Sequence, residues 1–415
     1  MRKNRATFQK VKIRDIAKIN PDSVGRDYQP EKIEYVDISN VGSGNITETQ
    51  EMDIQNAPSR AKRLVKSGDT ILSTVRPNKR SFFYFKSPKN NTVVSTGFAV
   101  LRALGDNNPK YLYYSVTDQA FTDYLTNNAK GAAYPAVDAN IIYDGEVFVP
   151  KKKEDQVRIA SVLSTYDDLI ENNEKRIKVL EEMAQRLYTE WFVKFKYPGH
   201  KKAKMVESGT EYGMIPEGWN IRKLGDVVSF LEGPGLRNWQ YRDSGIPFLN
   251  IRTIVDGDID IDECNYLDIE EVGRKYSHFL LKENDIVISS SGTLGRLATI
   301  RKKHLPLCLN TSVIRFREIK DGLPFWFVRQ YLLSPLFQSK IRSLASGSAQ
   351  LNYGSSHLST ISIVMPKTSI LDEYNHRVNH VEEGINNIRG HVAVLCKIRD
   401  LLVPQLVTGK RELKY

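Results

Sequence analysis

The chain has 415 residues, 40% of them hydrophobic, and 60 Lys and Arg against 49 Asp and Glu give a formal net charge of +11. That length predicts two or three domains with ordinary apolar cores, and the basic balance favours a polyanionic partner without dictating a fold. Three scattered cysteines (Cys264, Cys308, Cys396) offer neither a disulfide framework nor a zinc site, the basic start has no apolar stretch behind it, and no run reaches the length of a membrane span, so a cytoplasmic protein is expected.

Residues 1–150 are expected to form a mixed α/β domain. A short amphipathic opening at 11–19 precedes β-branched and aromatic bursts at 34–38 (EYVDI), 70–75 (TILSTV), 81–85 (SFFYF) and 92–101 (TVVSTGFAVL). A helical period follows at 111–126, then a loop at 130–139 (KGAAYPAVDA) and a short strand at 146–150.

Residues 151–200 carry a long helix and a lysine-rich linker. Its seam reads Ile159, Leu163, Tyr166, Ile170, Asn173, Ile177, Leu180, Ala184, Leu187, Trp191, an unbroken 3-4 alternation without Gly or Pro. So narrow a stripe predicts a coiled-coil helix. The 42 residues 154–195 would extend roughly 63 Å. A second mixed domain is expected over 201–366. Residues 367–415 return to helix, with the seam Leu371, Tyr374, Val378, Val381, Ile385, Ile388, Val392, Leu395, Arg399, Leu402, ending at Pro404.

The two halves repeat. The strand YVDI at 35–38 answers FLNI at 248–251 with an offset of 213; KSGDTILS at 66–73 answers KENDIVIS at 282–289 with an offset of 216; STGFAVLR at 95–102 answers NTSVIRFR at 310–317 with an offset of 215. At 215 the seam from Ile159 to Leu187 falls on the seam from Tyr374 to Leu402. The predicted fold is therefore α/β (α+β) domains alternating with two long helices, a pseudo-twofold tandem repeat. Neither helix can bury its seam alone, so an antiparallel coiled coil is expected. Asn173 in the seam is either a register device or a solvent-facing gap.

No enzyme signature stands out: there is no P-loop, no GxGxxG behind a strand, and no HExxH or paired Cys/His set. The run DGDIDID (Asp256, Asp258, Asp260, Asp262) lacks the glycine and terminal glutamate of a calcium loop and reads as an acidic turn. What recurs is a pair of polar loops in each half. The first pair is 75–81 (VRPNKRS, with Arg76, Asn78, Lys79 and Arg80) and 290–296 (SSGTLGR, with Ser290, Ser291, Thr293 and Arg296). The second is 130–138 (with Lys130 and Tyr134) and 346–355 (with Ser348, Gln350, Asn352 and Tyr353). Arginine suits guanine or phosphate, the amides of Gln350 and Asn352 suit adenine, and tyrosines stack or hydrogen-bond. These residues are the candidate DNA contacts. A non-enzymatic coiled-coil adaptor with two ligand-binding domains is the alternative, separated by the steep salt dependence a DNA reader should show.

The alternation of domains and helices, the recurring KxGDxxxS strand, and the helix ends RLYTEWFVKF and RDLLVPQLVTGK together resemble the DNA-specificity subunit of type I restriction-modification systems across nearly the whole chain. The resemblance implies a non-catalytic subunit that binds double-stranded DNA. It also implies assembly with two methyltransferase subunits, which hold S-adenosylmethionine and methylate adenine, and with two restriction subunits, which use ATP and Mg. Each domain would read half of a split target, and the helices would set the unread gap.

Overall fold

The computed structural model describes residues 7–25, 28–132, 134–255, 257–319, 323–346, 351–411 and 413. The chain divides into two compact units, Met1–Glu174 with Arg389–Tyr415, and Lys175–Ile388.

In the first unit the opening stretch divides among three elements. Phe8–Lys12 pairs antiparallel with Glu146–Pro150, Ile13–Ile16 makes a single helical turn, and Ala17–Ile19 enters a sheet. That sheet runs in the order Ala17–Ile19, Phe98–Ala103, Thr70–Ser73, Phe82–Tyr84, all antiparallel. A second sheet holds Gln50–Asp53, Lys32–Val36, Thr92–Ser95 and Ala61–Leu64, with Lys32–Val36 and Thr92–Ser95 parallel. The stretch expected as one strand at 92–101 thus serves two sheets. It breaks at Gly97, where a Cβ would come 2.9 Å from Ile38 Cδ1. The helix expected over 111–126 is likewise two, Pro109–Thr117 and Gln119–Asn128. Asp118 between them is extended and caps the second through its carboxylate, which accepts from Ala120 N at 3.3 Å.

The second unit repeats this frame. Asn220–Lys223 pairs with Ser362–Met365, and a sheet of order Val228–Glu232, Val313–Ile319, Ile286–Ser289, Leu297–Thr299 follows. The register repeats residue for residue. Thr70 faces Leu101 and Ser73 faces Phe98, as Ile286 faces Phe316 and Ser289 faces Val313. The helices Phe325–Leu333 and Pro335–Leu344 again lie behind it. The units differ in what they insert. In place of the mixed sheet, the second unit has a three-stranded sheet (Tyr241–Arg242, Asn265–Leu267, Ile246–Phe248) and the small pair Ile254–Val255 and Asp258–Ile259.

The aspartate shared by KSGD (66–69) and KEND (282–285) is structural. Asp69 accepts from Lys66 N at 2.8 Å and grips Arg102 at 2.7 and 2.6 Å; Asp285 accepts from Lys282 N at 2.7 Å and grips Arg317 at 2.6 and 2.5 Å. Each carboxylate closes the turn before its strand and ties that strand to its neighbour through a two-pronged pair.

The long helices are Lys153–Tyr188, with Glu154 and Asp155 in its first turn, and Thr368–Val407. Every seam position named above is buried or half-buried, Asn173 among them. In the second unit Phe192 meets Tyr374 (ring centroids 4.7 Å) and a Cβ on Gly384 would lie 4.0 Å from Leu180 Cδ1, so the two helices run antiparallel there. In the first unit Arg399 pairs with Asp167 at 3.1 Å, while Ile159, Ala160 and Leu163 share a core with Leu406 and Val407. Pro404 does not end the second helix, which continues to Val407. Burial of Leu406 and Val407, and a hydrogen bond from Tyr111 Oη to Val407 O at 3.0 Å, hold the last turn despite the lost N–H. The first helix closes in a π turn, Thr189–Val193, that turns both Trp191 and Phe192 inward.

The acidic turn is neutralised internally. Asp256 lies outside the described residues. Asp258 pairs with His304 at 2.8 Å, Lys303 at 2.8 Å and Arg301 at 3.1 Å. Burial alone would raise its pKa, but hydrogen bonds from His304 and Lys303 and the charge of Arg301 hold it well below the usual carboxylate range. Its folded value therefore lies below its unfolded value of about 3.9. The stabilisation is complete above that unfolded value and fades as pH falls towards the folded one. Asp258→Asn is expected to lower stability by on the order of 2 kcal/mol at pH 7. In urea melts the gap between the two proteins should narrow at pH 3; an equal gap at both pH values would remove the charge as the cause.

Candidate nucleic-acid interface

In each unit the strand of the KxGD stretch runs straight into the first polar loop. Thr70–Ser73 delivers 74–81, and Ile286–Ser289 delivers 290–296. Each loop is then pinned to the second polar loop by the same backbone bonds. In the first unit Val137 N donates to Thr74 O at 2.9 Å and Arg76 N to Pro135 O at 2.7 Å, while Lys130 and Ala136 exchange bonds at 2.9 Å. In the second, Tyr353 N donates to Ser290 O at 3.0 Å and Gly292 N to Leu351 O at 3.2 Å, while Ser346 and Asn352 exchange bonds at 2.9 Å. All six residue pairs correspond at an offset of 216. A serine hydroxyl stiffens each base: Ser73 Oγ donates to Val75 O at 2.7 Å, and Ser289 Oγ to Thr293 O at 2.5 Å. Two polar loops zipped together at one end of a sheet make a ledge whose backbone is fixed and whose side chains are free to vary.

The first ledge stores backbone strain. Arg76 and Arg80 both have left-handed backbones (φ +49° and +54°) on either side of the turn Pro77–Lys79. For non-glycine residues this conformation persists only where surroundings enforce it. The position matching Arg76 in the second ledge is Gly292, also left-handed (φ +66°) but without strain. The Arg76 guanidinium stacks over the Tyr134 ring at 4.4 Å, and Tyr134 is 69% exposed. Asn78, Lys79 and Lys130 are also exposed, so this ledge presents two lysines, an amide and an arginine–tyrosine stack.

Arg80 and Arg296, matched by sequence, are placed differently. Arg80 donates to Gln119 Oε1 at 2.5 Å and Thr117 O at 2.8 Å, so its guanidinium is committed to the helix behind the loop. The position matching Gln119 is Pro335, which has no side-chain acceptor. Arg296 is accordingly exposed and makes no side-chain hydrogen bond or ion pair with another described residue. Thr293 and Asn352 are exposed beside it, and Ser291 is half-buried. Two predicted contacts belong to the frame instead. Ser290 is buried, and Tyr353 is 3% exposed with its hydroxyl donating to Ser289 O at 3.0 Å, so its ring is not available for stacking. Tyr353 matches not Tyr134 but Val137, the buried residue three positions on, because pairing places every alternate loop residue inward. Ser348 and Gln350 lie outside the described residues. Sequence reading missed Glu232, whose carboxylate accepts from Ser355 N and anchors the far end of the second ledge. One glutamate closing the strand VSFLE carries no signal of that role.

Among the described residues no group of His, Cys, Asp and Glu is arranged to hold a metal ion, and no helix is long and apolar enough to cross a membrane.

The family model described as type I restriction modification DNA specificity domain matches residues 6–182 and 216–386, one copy in each half. The chain is 27% identical over 382 residues to the type I restriction enzyme MjaIX specificity subunit of Methanocaldococcus jannaschii, covering 91% of this chain and 84% of that protein. It is 22% identical over 443 residues to the HindI specificity subunit of Haemophilus influenzae, covering 91% and 94%. The crystal structure of a type I restriction-modification S subunit from M. genitalium shares the fold, with a TM-score of 0.50 at 14% identity, covering 98% of this chain and 97% of that one.

Proposed function

This chain belongs to the family of type I restriction-modification DNA-specificity subunits, and from that premise we propose that it reads a two-part DNA sequence, one half-site by each ledge. The observation that carries this reading is the three-pair loop zipper, repeated at the same end of the sheet in both units with different exposed side chains on each copy. A repeated frame with divergent tips suits two readers of two different half-sites. Lys79 and Lys130 supply phosphate contacts, which position the protein; Asn78, the Arg76–Tyr134 stack, Arg296, Thr293 and Asn352 offer base-edge chemistry, which specifies the sequence.

The two long helices act as the spacer, pairing along their seams as an antiparallel coiled coil that fixes the unread gap. Opposed seams and opposite helix directions inside each unit support this. A gapped site of about 14 base pairs spans roughly 48 Å, comparable with helices of 36 and 40 residues, roughly 54 and 60 Å long. In this reading the chain has no catalytic activity of its own and works in the cytoplasm. It directs two methyltransferase subunits carrying S-adenosylmethionine, and in restriction two further subunits using ATP and Mg.

The test is to co-express the chain with its methyltransferase partner and map N6-methyladenine across the genome. A motif of two defined halves around a fixed undefined gap is expected. A continuous motif, or methylation unchanged by the chain, would remove the two-reader reading.

A further inference from the structure

The second unit carries a third loop at the end of the sheet where its ledge sits. Val228–Glu232 and Ile286–Ser289 both run antiparallel to Val313–Ile319, so they are parallel to each other and their following loops leave the sheet at the same end. Glu232, the last residue of its strand, already holds Ser355 of the ledge. Gly233 then passes so close to Asn310 that a Cβ would lie 2.4 Å from its carbonyl carbon. The chain from there, GPGLRNWQYR, is thus launched beside the ledge.

Its tip is rigid and displays one large ring. Leu236 and Tyr241 pack into a small core with Phe248 and Leu267, one on each side of the turn Asn238–Gln240. The buried Gln240 caps that turn by accepting from Arg237 N at 3.0 Å. Arg242 donates to Trp239 O at 3.2 Å and Tyr241 O at 3.0 Å. Trp239, between these anchors, is 77% exposed, and Arg237 and Arg242 are exposed on either side of it. Trp239 thus adds nothing to the small core that its neighbours build, and its ring is open to a partner. An indole between two guanidinium groups matches the chemistry of a polyanion with flat bases: cations for phosphate, a ring for stacking or wedging.

We infer that Trp239 is a DNA-contacting residue of the second unit, its ring against a base or sugar next to the half-site read by the ledge, with Arg237 and Arg242 on the flanking phosphates. This rests on the DNA-reading assignment above. The first unit has no counterpart among its described residues: the loop after Ala17–Ile19 is NPDSVGRDYQP, and its Tyr28 packs against the core beside Ile33 and Tyr35.

The experiment uses the complex with the methyltransferase partner and a duplex carrying the motif found by methylation mapping. Trp239→Ala is expected to weaken binding about ten- to a hundred-fold with the salt slope unchanged, and Trp239→Phe to retain most of the affinity. Arg237→Ala is expected to reduce the salt slope by about one. 2-Aminopurine placed beside the second half-site should change its fluorescence with the parent complex and not with Trp239→Ala. Parental affinity and parental fluorescence change for Trp239→Ala would overturn the inference. So would a loss confined to assembly with the methyltransferase, which would make Trp239 a protein contact. If the parent complex shows no sequence-specific, salt-sensitive binding at all, the DNA-reading assignment fails first.

Discussion

Glu382→Ala is expected to lower the stability of the second unit by about 3–5 kcal/mol. The Glu382 and Arg329 side chains are 3% and 5% exposed and meet at 2.9 Å. Glu382 also accepts from Gln330 Nε2 at 3.0 Å, and Arg329 Nε reaches Thr299 Oγ1 at 3.2 Å. Removing the carboxylate strands a guanidinium that water cannot reach. The cost of that uncompensated charge exceeds what the pair itself contributes, because an intact buried pair roughly breaks even against its own desolvation. A double substitution, Arg329→Met with Glu382→Leu, should therefore recover most of the loss. If it is as unstable as Glu382→Ala, packing and not stranded charge is the cause. The measurement is clean because all four tryptophans, at 191, 219, 239 and 326, lie in the second unit. Indole fluorescence in a urea titration reports on that unit alone.

The same position in the first unit is Asp167, which accepts from Tyr114 and pairs with Arg399 and Lys110. Tyr114 corresponds to Gln330 at an offset of 216 and Asp167 to Glu382 at 215, and Gln330 likewise donates to its acid. In both repeats, then, an acid on a long helix grips the first helix of the adjoining domain. The gripping residues changed and the grip did not. This explains how much could be read from sequence. Positions whose role is geometric repeat as pattern: the seam with its 3-4 spacing, the KxGD aspartates that bind Arg102 and Arg317, and the strand register. They were legible because burial constrains residue class at fixed spacing. Positions whose role depends on a partner elsewhere in the chain were not. Arg80 and Arg296 look equivalent, yet Gln119 captures one and Pro335 offers the other no side-chain acceptor. Tyr353 reads as a loop aromatic until the zipper turns it inward. The break of 92–101 into two strands and the continuation through Pro404 follow from what packs against them, which no local window contains.

Inserting seven residues into both long helices, at 174/175 and at 388/389, is expected to move the methylated motif to a longer gap. These are the points where the chain passes between the two compact units, so neither core is cut. Seven residues add about 10.5 Å and turn the helix by nearly two full turns, within about 20°. The seam therefore stays on its face and both helices can pair again. Along DNA the same length is about three base pairs. Three base pairs also rotate the second half-site by roughly 100° about the duplex axis, given 10 to 10.5 per turn. The helix pair does not reproduce that rotation, so twisting must be absorbed by the DNA or by the coil. The lengthened target should therefore be found but bound and methylated more weakly than the parental one. Insertion into only one helix offsets the two seams by seven residues and should abolish specific methylation altogether. A four-residue insertion in both turns the seams by about 40° from their face and should be worse than seven. The readout is the gap in the mapped N6-methyladenine motif. If the double seven-residue insertion methylates at the parental gap with parental efficiency, the helices are not the ruler, and spacing must be set by the recognition domains or the methyltransferase partners instead.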